Sequence, residues 1–201
     1  MFFAGLDLGQ RHDYSAVVVV ERIEHRRAFQ ATAFDKLLVR HVERMPLGTP
    51  YPKVVERMRT IVQHQELRGK CALVVDATGV GAPVVDMLRA GQLGCEIVAV
   101  TITGGEREHQ GAGRWSVPKR DLVGGVQVLL EKGELKIAAM LREAETLRAE
   151  LLAVRQQAGV GGRVRMGAEE GEHDDLVMAL ALACWRARRK VVGYQAGRLL
   201  G

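Results

Sequence analysis

Hydrophobic and polar positions follow two rhythms along this chain. Strand-like stretches occupy 2–8, 15–23 and 28–42, separated by polar turns; the third alternates irregularly, and the second is rich in β-branched residues, with four consecutive valines at 17–20. An unbroken run of that kind predicts a central strand covered on both faces. Three consecutive strands joined by short turns predict an antiparallel meander. The rhythm then becomes helical. After Thr49-Pro50-Tyr51-Pro52, the residues Tyr51, Val54, Val55, Met58, Ile61 and Val62 recur at helical spacing, and Gly69 is the expected stop. A strand at 71–75, a short helix from Pro83 to near Gly91 and a strand at 96–102 form a strand–helix–strand passage, which predicts parallel pairing.

Residues 103–117 break both rhythms. They carry Gly104, Gly105, Gly111 and Gly113 among charged residues, and predict a long mobile loop. Pro118 opens a helix with Leu122, Val126, Leu129 and Leu130 on one face. A short edge strand at 135–137, an amphipathic helix at 140–156, a second glycine-rich segment at 159–171 and a long helix at 172–190 follow. The expected organisation is one domain over 1–190 with a loose tail at 191–201. The element order matches a ribonuclease H-like α/β fold, a mixed sheet of an antiparallel three-strand meander plus parallel strands, flanked by helices. In that order the first strand lies centrally, beside the first parallel strand.

Composition narrows the function classes. A length of 201 residues with 47% apolar content suits one packed domain and excludes a disordered chain. The formal charge of +5 is compatible with a polyanionic partner without requiring one. Cys71, Cys95 and Cys184 form no CxxC pair, so a structural zinc site is not expected; each reads as a small core residue in a reducing compartment. The N-terminus lacks the basic segment of a signal peptide, and the longest apolar run, 176–185, is too short to span a membrane.

The chemistry lies in the acids. Asp7 stands in Gly5-Leu6-Asp7-Leu8-Gly9 and Asp76 in Val74-Val75-Asp76-Ala77-Thr78-Gly79, each at the end of an apolar run. His173-Asp174-Asp175 opens the last apolar helix. Taken singly, these are ordinary residues: Asp7 in a turn, Asp76 in an Asx-type turn, Asp174 and Asp175 at a helix start. Taken together, in an order that one fold can gather, they predict a carboxylate site for Mg²⁺ or Mn²⁺, which prefer oxygen ligands. Two such ions roughly 3.5–4 Å apart can activate a water and stabilise a leaving oxygen in phosphoryl transfer. In this arrangement Asp7 on the central strand bridges, Asp76 binds one ion and Asp174 the other. Asp175 points about 100° away around the helix, as a supporting or alternative ligand. Lys119 is the candidate for the scissile phosphate or the attacking water, with a solvated helix-start lysine as its plainer reading. His173 is a candidate supporting residue or proton shuttle. Arg11 and His12 follow Asp7 closely enough to meet phosphate, and Arg107, Arg114, Arg163 and Arg165, in glycine-rich segments, are candidates for gripping a nucleic-acid backbone. With 4% aromatic residues, a base-stacking platform is not expected.

The ordered set of motifs resembles a known family. Besides those quoted, Ile102-Thr103-Gly104-Gly105, Val117-Pro118-Lys119-Arg120-Asp121-Leu122-Val123, Ala144-Glu145-Thr146-Leu147 with Glu150-Leu151, and Asp174-Asp175-Leu176-Val177-Met178-Ala179-Leu180-Ala181 all fall in place between residues 2 and 188. Together they resemble the nuclease domain of the large terminase subunit of tailed bacteriophages. The resemblance implies the ribonuclease H-like fold and a metal-dependent endonuclease that cuts concatemeric viral DNA during genome packaging with little sequence specificity. It implies an acidic cluster at Asp7, Asp76 and Asp174, with Asp175 adjacent. It also implies double-stranded DNA, a packaging ATPase domain, the small terminase subunit and the portal as partners, and the bacterial host cytoplasm as location. Family members usually carry the ATPase ahead of the nuclease, whereas no GxxxxGK[ST] loop occurs here. The chain therefore reads as a dissected domain or a separately encoded nuclease. Three other readings compete. A Holliday-junction resolvase shares such a metal site but prefers branched DNA. A non-catalytic DNA-binding module keeps the fold alone. An actin-like or sugar-kinase-like ATPase has similar glycine-flanked acids but needs about twice the length.

Overall fold

The computed structural model describes residues 1–9, 13–25, 33–79, 81–158, 164–167 and 174–189. Its centre is strand β1 (Phe2–Asp7), whose first five residues are buried. Strand β2 (Ala16–His25), with its run of valines, pairs antiparallel with β1, and β3 (Ala33–Arg44) pairs antiparallel with β2, completing the expected meander. Helix α1 (Tyr51–Val62) follows, with Pro50 at its N-cap, and ends seven residues before Gly69. Strand β4 (Cys71–Asp76) returns beside β1 in parallel register. Helix α2 (Gly81–Ala90) leads to β5 (Glu96–Thr103), parallel to β4.

The segment 103–117 is where expectation and structure part. It is not a loop. Strands β6 (His109–Gly111) and β7 (Arg114–Pro118) form a hairpin, and β7 adds to the sheet parallel to β5. Ala112 (φ 49°) and Gly113 (φ 72°) both take left-handed backbone, as a two-residue hairpin turn requires. The glycines mark that turn, while the buried Val117 and the packed Trp115 supply the strand's apolar side. Helix α3 (Lys119–Glu131) starts at Pro118 as expected, and β8 (Leu135–Ile137) pairs parallel with β3 at the sheet edge. The eight-stranded order is β6-β7-β5-β4-β1-β2-β3-β8.

The helix expected at 140–156 is shorter: α4 spans Ala144–Ala153. Val154 turns to extended backbone, and the polar residues beyond it form β9 (Arg155–Ala158), which pairs antiparallel with β10 (Val164–Gly167) in a separate ribbon. The stretch Arg155-Gln156-Gln157-Ala158 carries no apolar periodicity that would extend the helix. Helix α5 (Asp175–Ala187) comes last and is buried on every side over 175–185. A helix apolar all round must lie inside, and α5 does: it packs on β1 and β2 and is covered by α3 and α4. The tail at 191–201 lies outside the described residues.

Period-two alternation gives the sheet two apolar faces. Phe3, Val18, Val20, Ala72 and Val74 face α5; Phe2, Ala4, Leu6, Val17, Val19, Leu73 and Val75 face α1 and α2. Gly5 lies on the α5 face, and a Cβ there would stand 1.9 Å from the Ala179 carbonyl oxygen. The helix backbone therefore rests directly on the central strand. Cys71 and Cys184 are buried and Cys95 half-buried, all free thiols, and burial pushes them to about 12, 12 and 11 respectively, as befits inert packing residues.

Candidate metal centre

The same alternation aims the acids. Asp7 continues the face of Phe3 and Gly5, and Asp76 that of Ala72 and Val74, so both carboxylates turn toward α5. The β1–β4 register pairs Leu6 with Val75, which sets the two residues side by side at the ends of neighbouring parallel strands. Close contact of α5 with β1 at Gly5 brings the start of that helix, Asp174 and Asp175, to the same corner. Lys119, the first residue of α3, donates from Nζ to Asp174 Oδ2 at 2.7 Å.

The electrostatics are those of crowded like charges. Burial holds the Asp7 carboxyl well above the usual range; Asp76, Asp175 and Asp174 raise it further, and Lys119 opposes them. Asp76 is also raised, chiefly by burial, against hydrogen bonds from Thr78 and Asp7. Asp175 is only 6% exposed.

Asp76 does form the Asx-type turn: Oδ1 accepts from the Thr78 N–H at 2.8 Å and its hydroxyl at 2.5 Å. That turn engages one oxygen, Oδ1. The Gly9 N–H, which a turn-forming Asp7 would be expected to serve, donates instead to Ser15 Oγ at 3.2 Å. Asp174 stands at the N-cap position of α5 but makes no side-chain capping bond. Among the described residues, no three acids already converge as a finished coordination shell, since Asp174 is drawn to Lys119 and Asp76 to Thr78. The donor set nonetheless fits a hard divalent cation. It offers only carboxylate oxygens, and its mutual repulsion is of the sign that a dication relieves.

A comparison across known sequences decides the family: the profile described as "Terminase RNaseH-like domain" matches residues 4–186. The chain belongs to this family. Solved structures agree with the fold. The terminase domain is similar to the large terminase nuclease from thermophilic phage G20c with bound magnesium, at TM-score 0.65 and 24% identity over 92% of this chain and 81% of that one. It is similar to the large terminase nuclease domain from bacteriophage SPP1 with bound Mn, at TM-score 0.55 and 14% identity over 92% and 85%. A human cytomegalovirus terminase nuclease domain, Mn-soaked and inhibitor-bound, matches at TM-score 0.55 and 11% identity over 92% and 82%. A comparison with proteins of curated function gives no match.

In the terminase domain, then, Asp7, Asp76, Asp174, Asp175 and Lys119 meet at one corner. The basic candidates do not join them in the same way. Arg107 and Arg114 are exposed and flank the β6–β7 hairpin, with β5 between β7 and the Asp76 strand. Arg165 falls on β10, where only the backbone is described; Arg11, His12, Arg163 and His173 lie outside the described residues. Three supporting residues had no individual role assigned from the sequence: Thr78, Ser15 and above all Glu150. Glu150 is buried, pairs with Arg44, and accepts from the Leu176 and Val177 amides at 2.9 and 3.1 Å. Burial pushes Glu150 up to about 7, and the amides and Arg44 pull it down while Asp175 pushes it up. The available signal was its place on the buried face of α4, with Ala144 and Leu147. A glutamate there asks for a partner.

Proposed function

We propose that this terminase domain is the endonuclease that cuts concatemeric viral DNA during phage genome packaging, by metal-dependent phosphodiester hydrolysis with low sequence specificity. One observation carries the reading: four carboxylates from three separate elements crowd one end of the central strand, in a chain of the terminase family. Metal-bound relatives of the same fold support a divalent cofactor, Mg²⁺ or Mn²⁺. Asp7, Asp76 and Asp174 would hold the two ions, with Asp175 adjacent. Bound there, such ions supply Lewis-acid activation of water and charge stabilisation at the scissile phosphate.

The chain's own residues do the rest. Thr78 fixes the orientation of Asp76 through two bonds to one oxygen. Lys119, a point charge on a flexible stem beside Asp174, offers its ammonium to a phosphate oxygen. Arg107 and Arg114 on the hairpin, with Arg163 and Arg165, grip the DNA backbone without reading bases; His173 supports the metal ligands. The reading further places the functional unit at 1–190, the tail at 191–201, the protein in the host cytoplasm, and an ATPase domain, the small terminase subunit and the portal as its assembly partners. Among the described residues no helix is long and apolar enough to cross a membrane.

The test is plasmid cleavage by the purified chain in Mg²⁺, Mn²⁺ or EDTA, beside Asp7→Asn. Nicking and linearisation that need metal and vanish in the variant are expected. Cutting by Asp7→Asn at the parent rate would remove this corner as the active site. Binding of DNA without cutting in any metal would favour the non-catalytic module.

A further inference from the structure

Helix α5 is capped at its N-terminus by a residue from another helix. An Asp at an N-cap normally folds back so that its carboxylate accepts from the second and third helical amides. In α5 these are Leu176 and Val177, and both donate to Glu150 Oε2, at 2.9 and 3.1 Å. Asp174 has the backbone role of an N-cap, its carbonyl accepting from Met178 N at 2.8 Å, yet its side chain makes no capping bond. It reaches Lys119 instead. Glu150 is itself anchored: Oε1 pairs with Arg44 at the end of β3, and the Arg44 guanidinium lies 4.6 Å above the Tyr14 ring. The carboxylate is 6% exposed, so solvent does not compete for it.

We infer that Glu150 is a positioning residue that caps α5 in place of Asp174, and so releases the Asp174 carboxylate to serve as a metal ligand. The inference rests on the reading of the acidic corner as a metal site. Reach, not charge, is the property required. Glu150→Gln keeps one acceptor oxygen at the same reach for the two amides, while its NH2 turns toward Arg44. Glu150→Asp keeps the charge but withdraws it by about 1.5 Å, one carbon–carbon bond. Without the cap, Asp174 turns back onto its own helix and leaves the site.

The experiment is Mn²⁺ binding to the full chain, read by the resonance of free Mn²⁺, alongside hydrogen exchange of the Leu176 and Val177 amides in EDTA. Glu150→Gln should bind within about threefold of the parent and keep both amides protected. Glu150→Asp and Glu150→Ala should lose roughly tenfold to a hundredfold in affinity, the range found when outer partners of metal ligands are removed. Where Glu150→Ala does not fold, the Gln and Asp variants carry the comparison. A folded Glu150→Asp with parent affinity overturns the inference, as does a Glu150→Gln that keeps both amides protected yet binds as weakly as Glu150→Asp. Asp7→Asn separates the two levels: parent affinity in that variant overturns the metal site itself, whereas loss there with none in Glu150→Asp overturns only the role of Glu150.

Discussion

The two ends of helix α5 are finished by the same device and differ in what they leave over. At the N-terminus, Glu150 from α4 takes the orphan amides. At the C-terminus, Arg22 from β2 donates to the Ala187 and Arg189 carbonyls at 2.8 and 3.1 Å. Both caps come from outside the helix and suit the sign of its dipole. Beyond the caps the ends diverge. The C-terminal end is matched: Arg189 pairs with Glu108, Trp185 Nε1 donates to Glu108 at 3.0 Å, and the Arg189 guanidinium lies 3.9 Å over the Trp185 ring. Trp115 meets Trp185 edge-on at 5.5 Å. A cavity of about 320 Å³ beside this cluster is lined by Asp121 as well as Arg188, so it too is charge-balanced. Among the described residues the N-terminal end is acidic, with Asp7, Asp76, Asp174 and Asp175 gathered around Lys119. Matched charge holds a fold together. Crowded like charge is retained at a cost in stability, and such clusters concentrate at functional sites.

That contrast can be broken most forcefully at Asp7. Asp7→Asn should lower metal-dependent cleavage by a factor on the order of 10³, as removal of a preorganised electrostatic group does. It should also stabilise the metal-free protein. The folded carboxyl titrates above its unfolded value of about 3.9, so its contribution to stability is intact below about pH 4 and is lost as pH rises through the folded value. Melts in EDTA between pH 4 and 8 should therefore show the variant's advantage widening with pH. A pH-independent difference would contradict the proposed repulsion.

At the matched end the opposite pattern is expected. Trp185→Ala should cost about 3–5 kcal/mol of stability, as for other buried aromatic deletions, with Mn²⁺ affinity of the folded protein unchanged; denaturant unfolding and metal titration measure the two separately. Gly5→Ala probes the strand between the ends. Its Cβ would meet the Ala179 carbonyl and push α5 off β1, so a loss of about 1–3 kcal/mol should come with weaker metal binding. The smallest effect belongs to Glu108→Gln, about 1 kcal/mol or less for a partly exposed ion pair, with no change in metal affinity. A metal effect from either Trp185 or Glu108 would mean the two ends are coupled through the helix.

The acidic corner was legible in the sequence because strand-end carboxylates are conspicuous against apolar runs. Asp7, Asp76 and the Asp174-Asp175 pair needed only the strand order to be brought together. The hairpin at 109–118 was not legible, since its turn glycines and charges outweighed the short alternation of Trp115 and Val117. Nor was Glu150, because its partners, Arg44 and the Leu176 and Val177 amides, are remote in sequence.

By itself the sequence determined the periodicities, and through them the meander, the parallel strands, the wholly apolar last helix and the identity of the acids. These follow from local patterning, which a single chain segment expresses without its neighbours. Only the tertiary structure decided that α5 rests on Gly5, that Glu150 caps it, and that Asp174 is thereby free for Lys119. Those outcomes depend on which orphan amide finds which remote acceptor, and burial makes that choice by removing water as the alternative partner.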